Sequence, residues 1–371
     1  MRYKLITVVG TRPELIRLSE IIKNLDKNFH HKLIHTNQNF DKNLKDVFFK
    51  DLKINKPKYD LKIKSSNSMS TVAQILIKMD AILKKEKPDA FFILGDTNSA
   101  LSSIAAKKNK IPIFHYEAGN RCFDQRVPEE INRRIVDHIS DVNLTYSEFA
   151  KDNLLREGLP PDRTFNIGSP LGEVIEKNYK KINESKILKK LNVKKNDYFL
   201  FSFHREENVD DLTRLKKFLL ILNKVEKKYK KKIIVTTHPR TRKQISKIKY
   251  KISAKIQFFK PFGFIDYIKL QKFSLAVISD SGSISEEASY LSLNAISLRD
   301  TIERQEAMSE SAVLMSSLET NDFLNNLALC IKGKKNNDII EDYKKKLISE
   351  KISRIINSYI PYVNREVWKK Y

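Results

Sequence analysis

The chain has 371 residues, enough for two or three domains with cores of their own. With 41% hydrophobic and 31% charged residues, its composition excludes a disordered polymer and a membrane-embedded bundle. The 70 Lys and Arg against 45 Asp and Glu leave a net charge of +25, which fits nucleic acid, an anionic lipid surface or an anionic small substrate without choosing among them. Two cysteines, Cys122 and Cys330, stand far apart, which excludes a disulfide framework and a Cys-based zinc module and fits a reducing compartment. The apolar run at the N-terminus is too short for a signal peptide, and no stretch approaches the roughly 18 apolar residues of a membrane span. A cytoplasmic location without membrane insertion is the expectation.

In chain order, strand-like runs fall at Lys4–Val9, Lys32–Thr36, Ala90–Leu94, Ile111–Tyr116 and Val142–Tyr146. Amphipathic stretches such as Thr71–Lys85 and Asn98–Lys108 lie between them. Strands alternating with helices predict a parallel sheet wound on both faces, and runs that are apolar throughout are what doubly covered strands require. Gly168-Ser169-Pro170 is a turn signal, and the Lys-rich helical stretch 178–195 follows it. A second series runs through Tyr198–Phe203, Lys232–Thr237, Ile256–Phe259, Leu275–Ser279 and Asn294–Leu298. Lysine clusters such as Lys227–Lys232 read as solvated helix faces. The expected organisation is α/β: two doubly wound, Rossmann-like domains with a cleft between them. Residues 1–170 and 171–350 make the two domains, and a helix and aromatic tail, 351–371, packs back on the first. Ligands of such sheets sit at the carboxyl ends of the strands.

Those ends carry the unusual residues. After the first strand, Gly10 allows a tight turn, Pro13 suits the start of a helix, and Arg12 sits where an anion could bind or where a capped turn simply ends. The third run empties into Asp96 and the fourth into Glu117, so two carboxylates meet at one sheet edge. Pro128 starts a helix with Glu129 and Glu130 in its first turn, where acids also compensate the helix dipole. In the second half His204 and His238 follow successive strands, each with an Arg neighbour. Neither stands in an HxxxH or HExxH spacing that would point to a metal. The stretch Ser279-Asp280-Ser281-Gly282-Ser283 opens a helix, as a phosphate-binding turn does, and Glu287 lies one turn further on. Arg299 and Arg304 follow the last run. Phosphate chemistry in one half and carboxylates in the other suit a nucleotide-activated substrate.

Taken in order, GTRPE (10–14), GDT (95–97), EAG-x-R (117–121), PEE-x-NR (128–133), HREEN (204–208), HPRTR (238–242), DSGSISEE (280–287) and RDTIER (299–304) resemble the non-hydrolysing UDP-N-acetylglucosamine 2-epimerase family. Segment 116–141, the turn 168–170 and the terminal VNREVWKKY are similar to the branch that acts on UDP-2-acetamido-2,6-dideoxy-L-talose. The resemblance implies a glycosyltransferase-B-like fold, a cytosolic homodimer, no cofactor and no metal. It also implies inversion at sugar C2, yielding UDP-N-acetyl-L-fucosamine for capsule or O-antigen. It assigns acid–base work to Asp96, Glu117, Glu129 and His204. UDP binding falls to Arg12, His238, Tyr267, Ser281, Gly282, Ser283, Glu287 and Arg304. Arg17, Gln38, Asn120, Arg121, Phe123 and Arg133 would line the sugar pocket. Departures from the family pattern are Asn39 in place of His, Ser283 in place of Gly and Gln305 in place of Pro. The first suggests an altered sugar pocket and the second an altered phosphate cradle. Alternatives are another UDP-HexNAc 2-epimerase, a GT-B glycosyltransferase and, from the charge alone, a nucleic-acid binder. No aromatic-interleaved basic motif favours the last.

Overall fold

The structure is a computed structural model that describes residues 2–37, 49, 52–63, 67–248, 250–333 and 339–370. The chain divides into two compact units. One is Met1–Val174 together with Glu341–Tyr371, and the other is Ile175–Ile340.

Among the described residues, the first unit holds a seven-stranded sheet in the order β3-β2-β1-β4-β5-β6-β7. Its strands are β1 Lys4–Val9, β2 His30–His35, β3 Tyr59–Asp60, β4 Ala90–Leu94, β5 Ile113–Ala118, β6 Val142–Thr145 and β7 Thr164–Asn166. Every pairing is parallel, with Leu5 beside both His31 and Ala90, and Phe92 beside Phe114. The second unit repeats the plan in six parallel strands ordered β10-β9-β8-β11-β12-β13. These are β8 Tyr198–Ser202, β9 Lys232–Thr236, β10 Ile256–Phe259, β11 Ala276–Ser279, β12 Ala295–Ser297 and β13 Leu314–Met315. In each unit the chain winds outward on one side of the first strand, then returns to its other side. The order therefore reverses between β1 and β4 and between β8 and β11. Helices on opposite faces diverge there and leave a crevice at the carboxyl edge.

The central strands are the ones the apolar runs predict. β4 is buried at all five positions, as is β8. Strands β3, β7 and β13 are two or three residues long and lie at the sheet edges. Half-exposed edge strands need no apolar run, so nothing in composition marks them. β5 starts at Ile113 and reaches Ala118, past the expected Tyr116.

Helix starts follow capping chemistry. The helix Arg12–Asn28 has Thr11 as N-cap in a reciprocal capping box with Glu14, and Pro13 in its first turn. Ser147 caps Glu148–Arg156 through the Ala150 amide, and Asp211 caps Leu212–Tyr229 through two amides. Lys227 and Lys228 are exposed in the last turn of that helix, where they complement its dipole.

The helix Pro128–Ile139 is turned inside out. It buries Glu130, Asn132, Arg133 and Asp137 while Ile131 and Ile135 face outward. A helix that hides its charges is holding a polar interior in place. The tail behaves conventionally. The helix Ile348–Glu366 lies on Arg12–Asn28, buries Ile348, Ile352, Ile356, Ile360 and Val363, and bonds Ser353 Oγ to Asn24 Oδ1 at 2.5 Å. The chain rejoins the first unit at Glu341, ahead of the sequence-based boundary at 351.

Candidate active site

In the first unit the chemistry gathers at the switch point. β1 ends at Val9, and its turn packs so closely that a Cβ on Gly10 would lie 2.0 Å from Ser99 Oγ and 2.6 Å from Thr36 Oγ1. Only glycine fits. Glu14 reaches back under this turn. Its Oε2 accepts the amides of Gly10 (2.5 Å) and Thr11 (3.2 Å), and its Oε1 accepts the Thr97 hydroxyl at 2.8 Å. One buried carboxylate thus ties the Arg12 turn to the turn that carries Asp96.

Asp96 follows β4. Arg133 donates to its Oδ2 from Nε at 2.9 Å and Nη2 at 2.6 Å, and Asn132 Nδ2 donates to its carbonyl at 2.9 Å. Glu117 interrupts β5 at a bulge between Tyr116 and Ala118, with φ +69°. A left-handed backbone is costly for glutamate, and such strain persists where a side chain must be re-aimed. Both Glu117 oxygens accept from Arg17 Nη1, at 2.9 and 2.8 Å, and Tyr146 donates to Oε2 at 3.5 Å. The two carboxylates therefore end adjacent strands, each held by its own guanidinium. That arrangement fixes the aim of both, as proton transfer requires.

Behind them lies a buried charge cluster. Arg121 bonds Glu157 in bidentate fashion (2.8 and 2.6 Å), Asp137 at 2.7 Å and the Asn120 carbonyl at 2.8 Å. His115 donates through Nε2 to the Gly95 carbonyl at 2.9 Å, and its Nδ1 lies 2.9 Å from Asp137 Oδ1. Burial pushes the Asp137 carboxyl up, but the His115 and Arg121 charges outweigh it and hold the group below its ordinary value. Gly119, at φ +82°, completes this corner: a Cβ there would lie 2.1 Å from the Ala150 carbonyl oxygen.

In the second unit, Asp280 follows β11 beside His204, which follows β8. Asp280 Oδ2 accepts the amides of His204 and Arg205, both at 2.9 Å, and Asn208 Nδ2 at 3.2 Å. His204 Nδ1 lies 2.9 Å from Oδ1. Burial alone would raise this acid, yet the His204 charge and the amide donors bring it down to about 2. The next residues form a small-side-chain turn. Ser281 and Ser283 share a 2.9 Å hydroxyl contact, and Ser283 donates to Glu287 Oε1 at 3.0 Å. A Cβ on Gly282 would meet Glu303 Oε2 at 3.1 Å and Arg299 Nη1 at 3.4 Å. Arg304 is buried against Glu286 at 3.1 Å. Ser281, Gly282, Arg299, Glu303 and Arg304 line one small cavity.

The expected residues divide by surroundings. Arg12, Arg17, Asp96, Glu117 and Arg133 share the crevice edge of the first unit. Glu129 is half-buried in the first turn of Pro128–Ile139. Ser281, Gly282, Ser283, Glu287 and Arg304 gather in the second unit, with His204 at the adjoining strand end. His238 is the exposed N-cap of Pro239–Ile245, and Tyr267 is half-buried in Phe264–Phe273. The second oxygen of Glu287, Oε2, accepts Gln271 Nε2 at 2.5 Å, so this acid is already well engaged. Phe123 is 63% exposed at φ +55°, and Asn120 is buried. Gln38 and its neighbour Asn39 lie outside the described residues.

Arg121 is a correction. The family pattern puts it in the sugar pocket, but it has no exposed surface and four of its five N–H donors are engaged by Glu157, Asp137 and the Asn120 carbonyl. The sequence gives no role to Glu14, His115, Asp137 or Asp280, and gives Glu130 only that of offsetting the helix dipole. The spacing 130, 133, 137 repeats on one helix face and would have flagged an inward charged stripe. Among the described residues, no three His, Cys, Asp or Glu side chains are grouped to hold a metal ion, and no helix is long and apolar enough to cross a membrane.

Glu14 supplies a pH test. Burial outweighs its hydrogen bonds and raises its carboxyl from 4.5 to about 7. The native state thus holds a proton that the unfolded state has released, and stability from this group falls as pH rises from 4.5 to 7. Across that window the wild type should lose on the order of 3 kcal/mol relative to Glu14→Gln in urea unfolding. Parallel stability curves for the two proteins would refute it.

The chain has relatives throughout its length. The profile of the family described as UDP-N-acetylglucosamine 2-epimerase matches residues 23–357. The structure of UDP-N-acetylglucosamine 2-epimerase from Rickettsia bellii superposes with a TM-score of 0.94 at 46% identity, covering 100% of both chains. A crystal structure of the Methanocaldococcus jannaschii UDP-GlcNAc 2-epimerase in complex with UDP-GlcNAc and UDP gives 0.89 at 36%, covering 96% of this chain and 99% of that one. The UDP-2,3-diacetamido-2,3-dideoxy-D-glucuronate 2-epimerase of Pseudomonas aeruginosa is 32% identical over 81% of this chain and 84% of its own. With these matches and two doubly wound parallel sheets, the chain belongs to the UDP-N-acetylglucosamine 2-epimerase family of isomerases.

Proposed function

We propose that this protein inverts C2 of a UDP-2-acetamido sugar, and that its sugar is UDP-2-acetamido-2,6-dideoxy-L-talose, which becomes UDP-N-acetyl-L-fucosamine. The observation that carries the reaction type is the pair of guanidinium-held carboxylates, Asp96 and Glu117, on adjacent strands. The C2 proton has no neighbouring carbonyl and is only weakly acidic. Departure of the anomeric UDP supplies the electron pull. A base removes the C2 proton as the C1–O bond breaks, giving a 2-acetamidoglycal and UDP. UDP then adds back at C1 while a proton is delivered to the opposite face of C2. Two acid–base groups are needed, drawn from Asp96, Glu117, Glu129 and His204. The Ser281–Ser283 turn, with Arg12, His238 and Arg304, would hold the diphosphate and stabilise its departure. Glu287 would take the ribose and Tyr267 the uracil.

The 6-deoxy sugar is supported by the loop at 120–124. A methyl at C6 calls for apolar surface, and Phe123 presents a largely exposed ring there. A second reading, interconversion of UDP-GlcNAc and its C2 epimer, is favoured by the names of the R. bellii and M. jannaschii relatives. One experiment separates them. The protein is incubated in D₂O with a panel of UDP-HexNAc substrates, and the products are identified by NMR. Deuterium at C2 is expected in every epimerised product, and product without it would sink the elimination route. The L-talo substrate should have the highest kcat/KM. An apolar pocket rejects an extra hydroxyl by only about 10²-fold, so weak UDP-GlcNAc turnover fits. A kcat/KM for UDP-GlcNAc equal to or above that of the L-talo sugar would establish the second reading.

A further inference from the structure

Glu130 has no exposed surface, yet it accepts five hydrogen bonds from three directions. Its Oε2 takes the Cys122 amide (3.1 Å), the Cys122 thiol (3.3 Å) and Arg133 Nη1 (3.2 Å). Its Oε1 takes the Phe123 amide and Arg134 Nε, both at 3.3 Å. The neighbouring Glu129 is only half-buried. A carboxylate at the third position of a helix would ordinarily face water and offset the dipole. This one is turned inward to receive two consecutive backbone amides of the 120–124 loop.

Those contacts lead to both ends of the chemistry. Arg133 spends its remaining edge on Asp96 Oδ2, so Glu130 fixes the far side of the guanidinium that holds a proposed acid–base group. The Cys122 and Phe123 amides set the loop from which the Phe123 ring projects. Phe123 has φ +55°, a strained value for a bulky residue, and Arg134 lies 5.9 Å from its ring. Backbone in that region relaxes unless its surroundings hold it. The two amide bonds to Glu130 and the ring contact with Arg134, itself bonded to Glu130, are what hold it.

We infer that Glu130 is a positioning residue that ties the Asp96–Arg133 pair and the loop carrying Phe123 to one buried carboxylate, so that sugar selection and proton transfer share a single anchor. The inference rests on the 2-epimerase reading above. In Glu130→Gln the amide oxygen can still accept, but the amide nitrogen opposes a guanidinium or a backbone N–H. One of the two clusters must then let go.

Cys122 reports on the anchor without any turnover. Burial and the Glu130 carboxylate together raise its thiol above the ordinary value. Loss of that charge both frees the loop and favours thiolate. The test uses a Cys330→Ser parent, so that Cys122 is the sole thiol. Iodoacetamide alkylation of Glu130→Gln should be about tenfold faster than in the parent. Its kcat should fall about 10²-fold with KM changed by less than about threefold, and its preference between 6-deoxy and 6-hydroxy UDP-sugars should shrink toward one. Glu130→Asp keeps the charge but is one methylene short, and it should fall between parent and Glu130→Gln on every measure. Unchanged alkylation in both folded variants overturns the inference. So does faster alkylation with parental kcat and selectivity. A parent inactive on every UDP-sugar strikes the functional reading instead, and the alkylation rates still decide whether Glu130 anchors the loop.

Discussion

Asp96→Asn and Glu117→Gln should each lower kcat by roughly 10²–10⁴-fold, the range for a lost acid–base group, while the affinity for UDP alone stays close to wild type. Both substitutions preserve size and remove the charge. The first would leave Arg133 its Glu130 contact, so the helix Pro128–Ile139 keeps its seat. The second would leave Arg17 facing a neutral amide, at a position where a strained backbone aims the side chain. UDP binding should survive because the small-residue turn proposed to hold it lies in the other unit. Steady-state kinetics and calorimetric titration with UDP read the two effects separately. Turnover near wild type in both variants would show that these acids merely cap and brace strand ends.

The second large effect is on stability. Arg121→Met should destabilise the first unit by about 3–5 kcal/mol, because it strips the partner from a carboxylate that has no access to water. Asp137 would be left with the His115 ring and the Gly119 amide, whose contacts to its two oxygens are 3.3 and 3.2 Å. Glu157, held down at about 2 chiefly by its hydrogen bond from Arg121, would lose its bidentate partner. Arg121→Lys should rescue little, since an ammonium cannot span Glu157 and Asp137 at once. Urea unfolding measures the loss, and a Met variant within about 1 kcal/mol of wild type would contradict the role given to this cluster.

The strands were legible wherever both faces are covered. β1 and β4 have the limits that their apolar runs predict, because a strand buried on both sides leaves little room for a polar residue. β3, β7 and β13 escaped because pairing, not composition, creates them. The strand-end motifs were legible too, since Gly, Asp, Glu and His after an apolar run are rare enough to stand out. What could not be read was which charges face inward. Arg121 sits in a loop whose neighbours look like pocket residues, and its partners arrive from 16 and 36 positions away. Glu129 and Glu130 are chemically identical neighbours, and only the rotation of the helix separates a half-exposed acid from a buried anchor. That rotation is set by packing against β5 and the helix Ser103–Lys108, which one sequence does not display.

The return of the C-terminal helix has a consequence during synthesis. The first unit is interrupted: its last pieces, Glu341–Tyr371, are made only after the whole of Ile175–Ile340. At ~5–20 residues per second, a nascent chain carries the first sheet for roughly ten to forty seconds before Ile348–Glu366 emerges to cover Arg12–Asn28. The second unit is contiguous and can complete itself on the ribosome. The order of maturation is thus the reverse of the order of translation, and the part bearing Asp96 and Glu117 is finished last. A chain stalled before residue 341 would expose the apolar seat of that helix to chaperones and proteases, so incomplete products would be marked for removal before they could bind a sugar nucleotide.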